Sequence, residues 1–303
     1  PETRDAHATS NFDLRGVALA VAGLAAATWA LTEAGPRGWG NASVVVVGAV
    51  GLAAMVWFVA HILRTENPLV PPQLFRVRTF TVINVMTAQL YAAIGVAFFL
   101  VAYELQVAAG WSALASGAAL LPTTLLMLAL SARSGALGQR IGPRLQLVVG
   151  PLLAGGGLLL LAGIGPDASW ATDVLPGSVL FGLGLVTFVA PLTATVMSAA
   201  DPDHVSTASG INNAVARTAS LGALALVPAI AGLSEAMGPD EVTDAFRVAL
   251  VIAAALAASA AVTAMFGLDR SARAARTPRR VHCHVDGPPL QADPELCPMA
   301  HSG

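Results

Sequence analysis

Five polar residues recur inside an otherwise apolar segment: Ser206, Ser209, Asn213, Arg217 and Ser220. With a helix period of ~100° per residue they share one face about 80° wide. Arg217 brings a permanent charge and a fork of five donors, which suits recognition and not bond making. Asn213 stands four residues before it, so the two side chains can meet. A polar stripe on an apolar helix faces protein or water, which makes this one, with Asn212 beside it, a gate or cavity lining. The opposing reading is an arginine that snorkels and anchors the helix end. A second stripe comprises Thr81, Asn84, Thr87 and Tyr91 and ends near Gly95. It suits either a substrate path or interhelical hydrogen bonds worth about 0.6 kcal/mol each. Gln89 points off that face and is expected to pack. Glu104 is the acid for proton coupling, because intramembrane carboxyls serve that purpose. Its place at the outer end of its apolar stretch favours an interfacial role instead.

Other chemistry lacks its residues. There is no GxxxxGK[ST], no HExxH and no nucleophile elbow, so ATP hydrolysis and hydrolytic catalysis have no support and the chain reads as a non-enzyme. No cofactor is expected. His282–Val285 (HCHV), Cys297 and His301 lack regular zinc spacing, so no metal is expected either. Cys283 and Cys297 imply no disulfide framework.

The elements that hold these residues follow from composition. Of 303 residues, 55% are hydrophobic and 11% charged, with a mean hydropathy of +0.70. A soluble domain carries about 25% charged residues, so the solvent here is lipid. The net charge of −2 argues against a nucleic-acid partner. Apolar stretches at about 14–33, 43–63, 80–103, 113–132, 145–165, 174–198, 206–233 and 245–267 are each near the ~20 residues that span a bilayer. Unpaired backbone groups are not tolerated in hydrocarbon, so the stretches are helices. The fold class is an all-α integral membrane protein of about eight transmembrane helices. Alternating connections put most arginines on the side shared by both termini, and acids such as Asp167, Asp173, Asp240 and Glu241 on the other. The positive-inside rule makes both ends cytoplasmic, in a multi-pass protein of the inner (plasma) membrane. Residues 1–13 form a cytoplasmic segment and 268–303 a polar, disordered cytoplasmic tail.

Three stretches carry a family resemblance. "SGALGQRIGPRLQ" resembles the G-x-L-x-D-R-x-G-x-R loop of the major facilitator superfamily through Gly135, Leu137, Arg140, Gly142 and Arg144, with Gln139 in place of the acid. It reads as a short cytoplasmic turn whose arginines hold acids or helix C-termini, or as a plain basic loop. "VAYELQVAAGWSALASGAALLP" resembles a stretch of the fourteen-helix drug:proton antiporters, the EmrB/QacA-like branch, through Tyr103, Leu105, Gln106, Gly110, Ser112, Gly117 and Pro122. "ASGINNAVARTASLG" is similar to a further segment of that branch through Ala208, Ser209, Gly210, Asn212, Asn213 and Arg217, with Ser220 replacing a glycine.

The resemblance implies two extra central helices at 14–63, a cytoplasmic loop at 64–79 and a six-helix C-terminal bundle at 80–267. It implies proton-coupled export of drugs or other amphipathic small molecules, by rocking against an N-terminal six-helix half that this chain lacks. The partners are then a small-molecule substrate, protons, that missing half and the bilayer. The reading from another class is a membrane scaffold or interaction subunit that transports nothing.

Overall fold

In a chain this apolar, each backbone N–H must find its carbonyl within the same segment. The computed structural model, which describes residues 13–65, 68, 70–201, 204–233 and 238–268, is helical accordingly. Its helices are α1 (Leu14–Arg37), α2 (Ala42–Ile62), α3 (Arg78–Val107), α4 (Ala113–Ala118), α5 (Leu121–Ile141), α6 (Pro143–Leu161), α7 (Leu175–Ser198), α8 (Val205–Ile230) and α9 (Pro239–Gly267). A 3-10 turn, Pro72–Arg76, precedes α3, and a π turn, Trp170–Val174, leads into α7. Among the described residues eight spans are long and apolar enough to cross a membrane, with α4 and α5 forming one of them. No strand occurs among the described residues. Residues 1–12 and 269–303, which include Cys283, Cys297, His301 and the HCHV run, lie outside the described residues.

Local signals set the helix ends. The side chains of Asp13, Asn41 and Ser112 accept from Gly16 N, Ser43 N and Ala115 N, which caps α1, α2 and α4. Proline opens α5, α6, α7 and α9, where its missing N–H costs nothing. Asp240 and Glu241 sit in the first turn of α9, on the favourable end of its dipole.

Contacts run in series from α5 to α7, α6, α9, α3 and α8, giving a six-helix bundle. Phe80, Leu90, Leu100, Leu158, Phe181, Phe188 and Phe246 fill its interior. Lipid gives helices no hydrophobic reason to associate, so close packing at small residues must do so. The α6–α7 seam is built that way. A Cβ at Gly157 would strike the Phe181 backbone, one at Gly184 would strike Ala154, and one at Gly150 would lie 2.8 Å from Phe188 Cβ. α1 and α2 form a separate hairpin, tight where Gly51 meets Ala26 and Ala27, which leans on the bundle chiefly through α1, against α8. Within the bundle α5 and α8 are the least covered helices.

Two expected boundaries differ. The "SGALGQRIGPRLQ" stretch is not a loop: α5 continues to Ile141 and α6 starts at Pro143, which leaves Gly142 alone as the turn, with φ +86°. A helix that has left the hydrocarbon keeps its own hydrogen bonds, and only glycine takes that backbone conformation cheaply. The 64–79 connection likewise contains the 3-10 turn and the first residues of α3, pinned by buried Leu74.

The seam gives a packing prediction. Gly184→Leu should lower stability by about 1–3 kcal/mol or more, because the added atoms meet backbone. Gly117→Ala, where a Cβ meets nothing within 4 Å, should be neutral or stabilising. Thermal unfolding in detergent, followed by loss of the monodisperse chromatographic peak, measures both.

Candidate functional site

The first polar cluster lies between α3 and α8. Asn84 and Thr87 are buried on α3 and each donates to the carbonyl one turn back, Phe80 O at 2.9 Å and Ile83 O at 2.9 Å. Asn212 of α8 crosses the seam: its Nδ2 donates to Thr87 Oγ1 at 2.7 Å and to Asn84 Oδ1 at 3.3 Å. Further along, Gly95 leaves room for Ser220, whose side chain occupies the space a Cβ would take. Tyr91 is half-buried against the core and bonds to no described residue. Thr81 donates to Phe75 O, and Gln89 packs toward α9, accepting from Thr263 at 3.2 Å.

The expected pairing of Asn213 with Arg217 is not present. Both side chains are exposed, and neither bonds to a described residue. Adjacent helical residues point ~100° apart, so when Asn212 faces α3 its neighbour Asn213 turns off the seam. Arg217 follows Asn213 onto that flank.

The second cluster joins the starts of α3 and α6 to the end of α9. Arg144 Nη2 donates to Met265 O at 2.5 Å, and Arg78 Nη2 donates to Phe266 O at 2.8 Å. The last carbonyls of a helix have no partner of their own and attract cations, so the two arginines close α9. Arg140, on the last turn of α5, is exposed and bonds to no described residue. Gly135 and Gly138 face Ala190 and Pro191 of α7. Pro191 has no N–H, so the carbonyl of Thr187 lacks its helical donor. Ser134 Oγ supplies one at 3.3 Å, and buried Gln146 donates in turn to Ser134 Oγ at 2.9 Å and Ser134 O at 3.0 Å. A polar relay therefore runs from α6 through α5 to the turn of α7 that Pro191 interrupts. Gln146 was not anticipated from sequence; an amide two residues after a basic turn carries no recognisable pattern.

The third cluster is at the opposite end. Glu104 is fully buried against α9, three residues before the end of α3, so at the end of its span it is enclosed by protein. Thr243 Oγ1 donates to Glu104 Oε1 at 2.5 Å, while Oε2 has no partner among the described residues. Arg247, one turn on, is engaged by Asp244 at 3.2 Å. Thr243 also escaped the sequence reading, since nothing in the first turn of α9 singles it out. No group of His, Cys, Asp and Glu that could hold a metal occurs among the described residues.

The pattern of the Major Facilitator Superfamily matches residues 8–223, more than half of the chain. The puromycin resistance protein pur8 of Streptomyces alboniger is 30% identical over 296 residues, 91% of this chain and 57% of the relative. The cephamycin export protein CmcT of Amycolatopsis lactamdurans is 29% identical over 241 residues, 79% of this chain and 50% of the relative. The tetracenomycin C resistance and export protein of Streptomyces glaucescens is 30% identical over 248 residues, 80% and 45%. The chain thus spans about half the length of these relatives.

The α3–α8 cluster can be tested as a packing element. Asn212→Ala should cost about 0.6–1.7 kcal/mol, between the average and the largest of measured membrane hydrogen bonds, and should be less than additive with Thr87→Ala. Asn213→Ala, with no partner to lose, should stay within about 0.5 kcal/mol. Unfolding of each single and double variant in mixed micelles gives the cycle.

Proposed function

The chain belongs to the Major Facilitator Superfamily, and on that premise we propose that it is the C-terminal part of a secondary carrier that exports drugs or other amphipathic small molecules in exchange for protons. The α3–α8 seam carries this reading: a buried polar cluster inside membrane helices, flanked by Asn213 and Arg217 on an open face of α8. Polar and charged groups on membrane helices are retained where a partner helix or an aqueous path meets them. The relatives' names, which speak of resistance to or export of puromycin, cephamycin and tetracenomycin C, favour amphipathic cargo.

In this reading the part of the relatives' length that the chain does not span supplies the opposing bundle. Residues 80–267 are one six-helix half, and the open faces of α5 and α8 look onto the midplane cavity about which the halves rock. Residues 14–63 are the additional central pair of a fourteen-helix carrier, joined through 64–79. The end carrying Arg15, Arg64, Arg76, Arg78, Arg133, Arg140 and Arg144 is cytoplasmic in the plasma membrane, as the positive-inside rule requires. Asn84, Asn212, Asn213 and Arg217 border the substrate path, with Tyr91 farther along α3. Gly135, Arg140, Gly142 and Arg144 govern the inner ends. Glu104 is the proton acceptor: a carboxyl enclosed by protein, with one oxygen unengaged, can gain or lose a proton as neighbouring helices move.

The test uses the whole carrier in vesicles under an imposed pH gradient, with an amphipathic fluorescent cation as cargo. The gradient should drive dye movement that an uncoupler abolishes; no such movement would refute the export reading. Arg217→Lys and Arg217→Ala should both slow transport by about tenfold or more at normal expression, because in this reading the exposed Arg217 fork meets the opposing half or the cargo, and lysine cannot copy a forked charged bond worth about 1.5–3 kcal/mol. Normal transport by Arg217→Lys would assign the residue to anchoring. Glu104→Gln should retain dye binding and lose the response to the gradient.

A further inference from the structure

The hairpin α1–α2 meets the bundle unevenly. Leu31, in the outer half of α1, reaches Gly222 in the outer half of α8. Toward the opposite end the elements separate and leave a cavity of about 1010 Å³. Its walls are Leu24 of α1, Met55 and Phe58 of α2, Phe75 of the 3-10 turn, and Ile211 and Ala214 of α8. Nearly every other lining residue is apolar as well, with Thr207 and Thr218 as the hydroxyls. The rim is open: Val59 is 47% exposed, Leu63 67% and Phe75 46%.

Beyond this rim the chain turns basic. Arg64 follows Leu63, Arg76 follows Phe75, and Arg15 stands on the first turn of α1. All three are exposed and bond to no described residue. Asp13, at the foot of α1, is turned inward onto Gly16 N and His61 Nε2, so its charge is already engaged. An apolar wedge ending at unpaired guanidiniums matches a molecule with a long hydrocarbon part and an anionic head. In a membrane that molecule is an anionic phospholipid, whose phosphate accepts the arginine fork.

We propose that the wedge between the α1–α2 hairpin and α8 binds an anionic phospholipid, with an acyl chain among Met55, Phe58, Ile211 and Ala214 and the phosphate at Arg64 and Arg76. The lipid completes the contact between hairpin and bundle at the end where protein atoms leave it open. This site is separate from the cargo path proposed above, which lies along another flank of α8.

Native mass spectrometry and thermal unfolding of the detergent-purified chain, titrated with phosphatidylglycerol or phosphatidylcholine, test this. Phosphatidylglycerol should give a one-to-one complex that raises the unfolding temperature and binds at least tenfold tighter than phosphatidylcholine. Arg64→Gln with Arg76→Gln should reduce it to the phosphatidylcholine level. Gly210→Phe should abolish the complex by filling the wedge, since a side chain at Gly210 starts in open space; Ala214→Leu serves if that variant misfolds. Equal binding of the two lipids, or phosphatidylglycerol binding unchanged in the filled variants, would overturn the proposal. So would displacement of neither lipid by these changes while a cationic dye occupied the wedge.

Discussion

A polar group in hydrocarbon has no partner except another part of the protein, and this governs how the chain is built. It forces the backbone into helices, and then forces side-chain polarity into seams between them. Asn212 illustrates the second step. Its amide crosses from α8 to Thr87 and Asn84, which have already turned back on their own carbonyls, so the cluster is closed on itself. The same pressure explains Ser134, whose hydroxyl serves a carbonyl that Pro191 deprives of its donor. Pro191 sits inside α7 without leaving the carbonyl of Thr187 unpaired, because the neighbouring helix carries a small hydroxyl at that level.

Glycine supplies what hydrophobic attraction cannot. Where α6 and α7 meet, three glycines let backbones approach within reach of dispersion forces. Where α3 and α8 meet, Gly95 admits Ser220, so even that seam combines a close approach with polarity. By contrast the hairpin α1–α2 is tight within itself and loose against the bundle.

Much of the fold was legible because the membrane imposes a length scale and an apolar composition on every span, and eight such stretches stand out in the sequence. The polar stripe of α3 was legible by its period. What periodicity cannot decide is which flank of a stripe faces which neighbour: the choice between Asn212 and Asn213 is a rotation of ~100° about α8, fixed only by where α3 lies. Pairs distant in the chain were out of reach for another reason. Glu104 and Thr243 are 139 residues apart, and neither residue carries a mark of the other. The basic turn misled through its glycines and charges, which read as loop although the helix runs through them to a one-residue turn at Gly142.

The two arginines on the end of α9 have a mechanical consequence. Arg78 begins α3, Arg144 lies at the start of α6, and both hold adjacent carbonyls of the same terminal turn. Three helix ends are thereby fastened at one knot, while the middles of the same helices touch through α3–α9 and α6–α9. Such a triad tilts as a single lever. Interior prolines, the places where a membrane helix gives most easily, fall on α7 and α8 outside the knot and on α6 within it, at Pro151, beyond the fastened end.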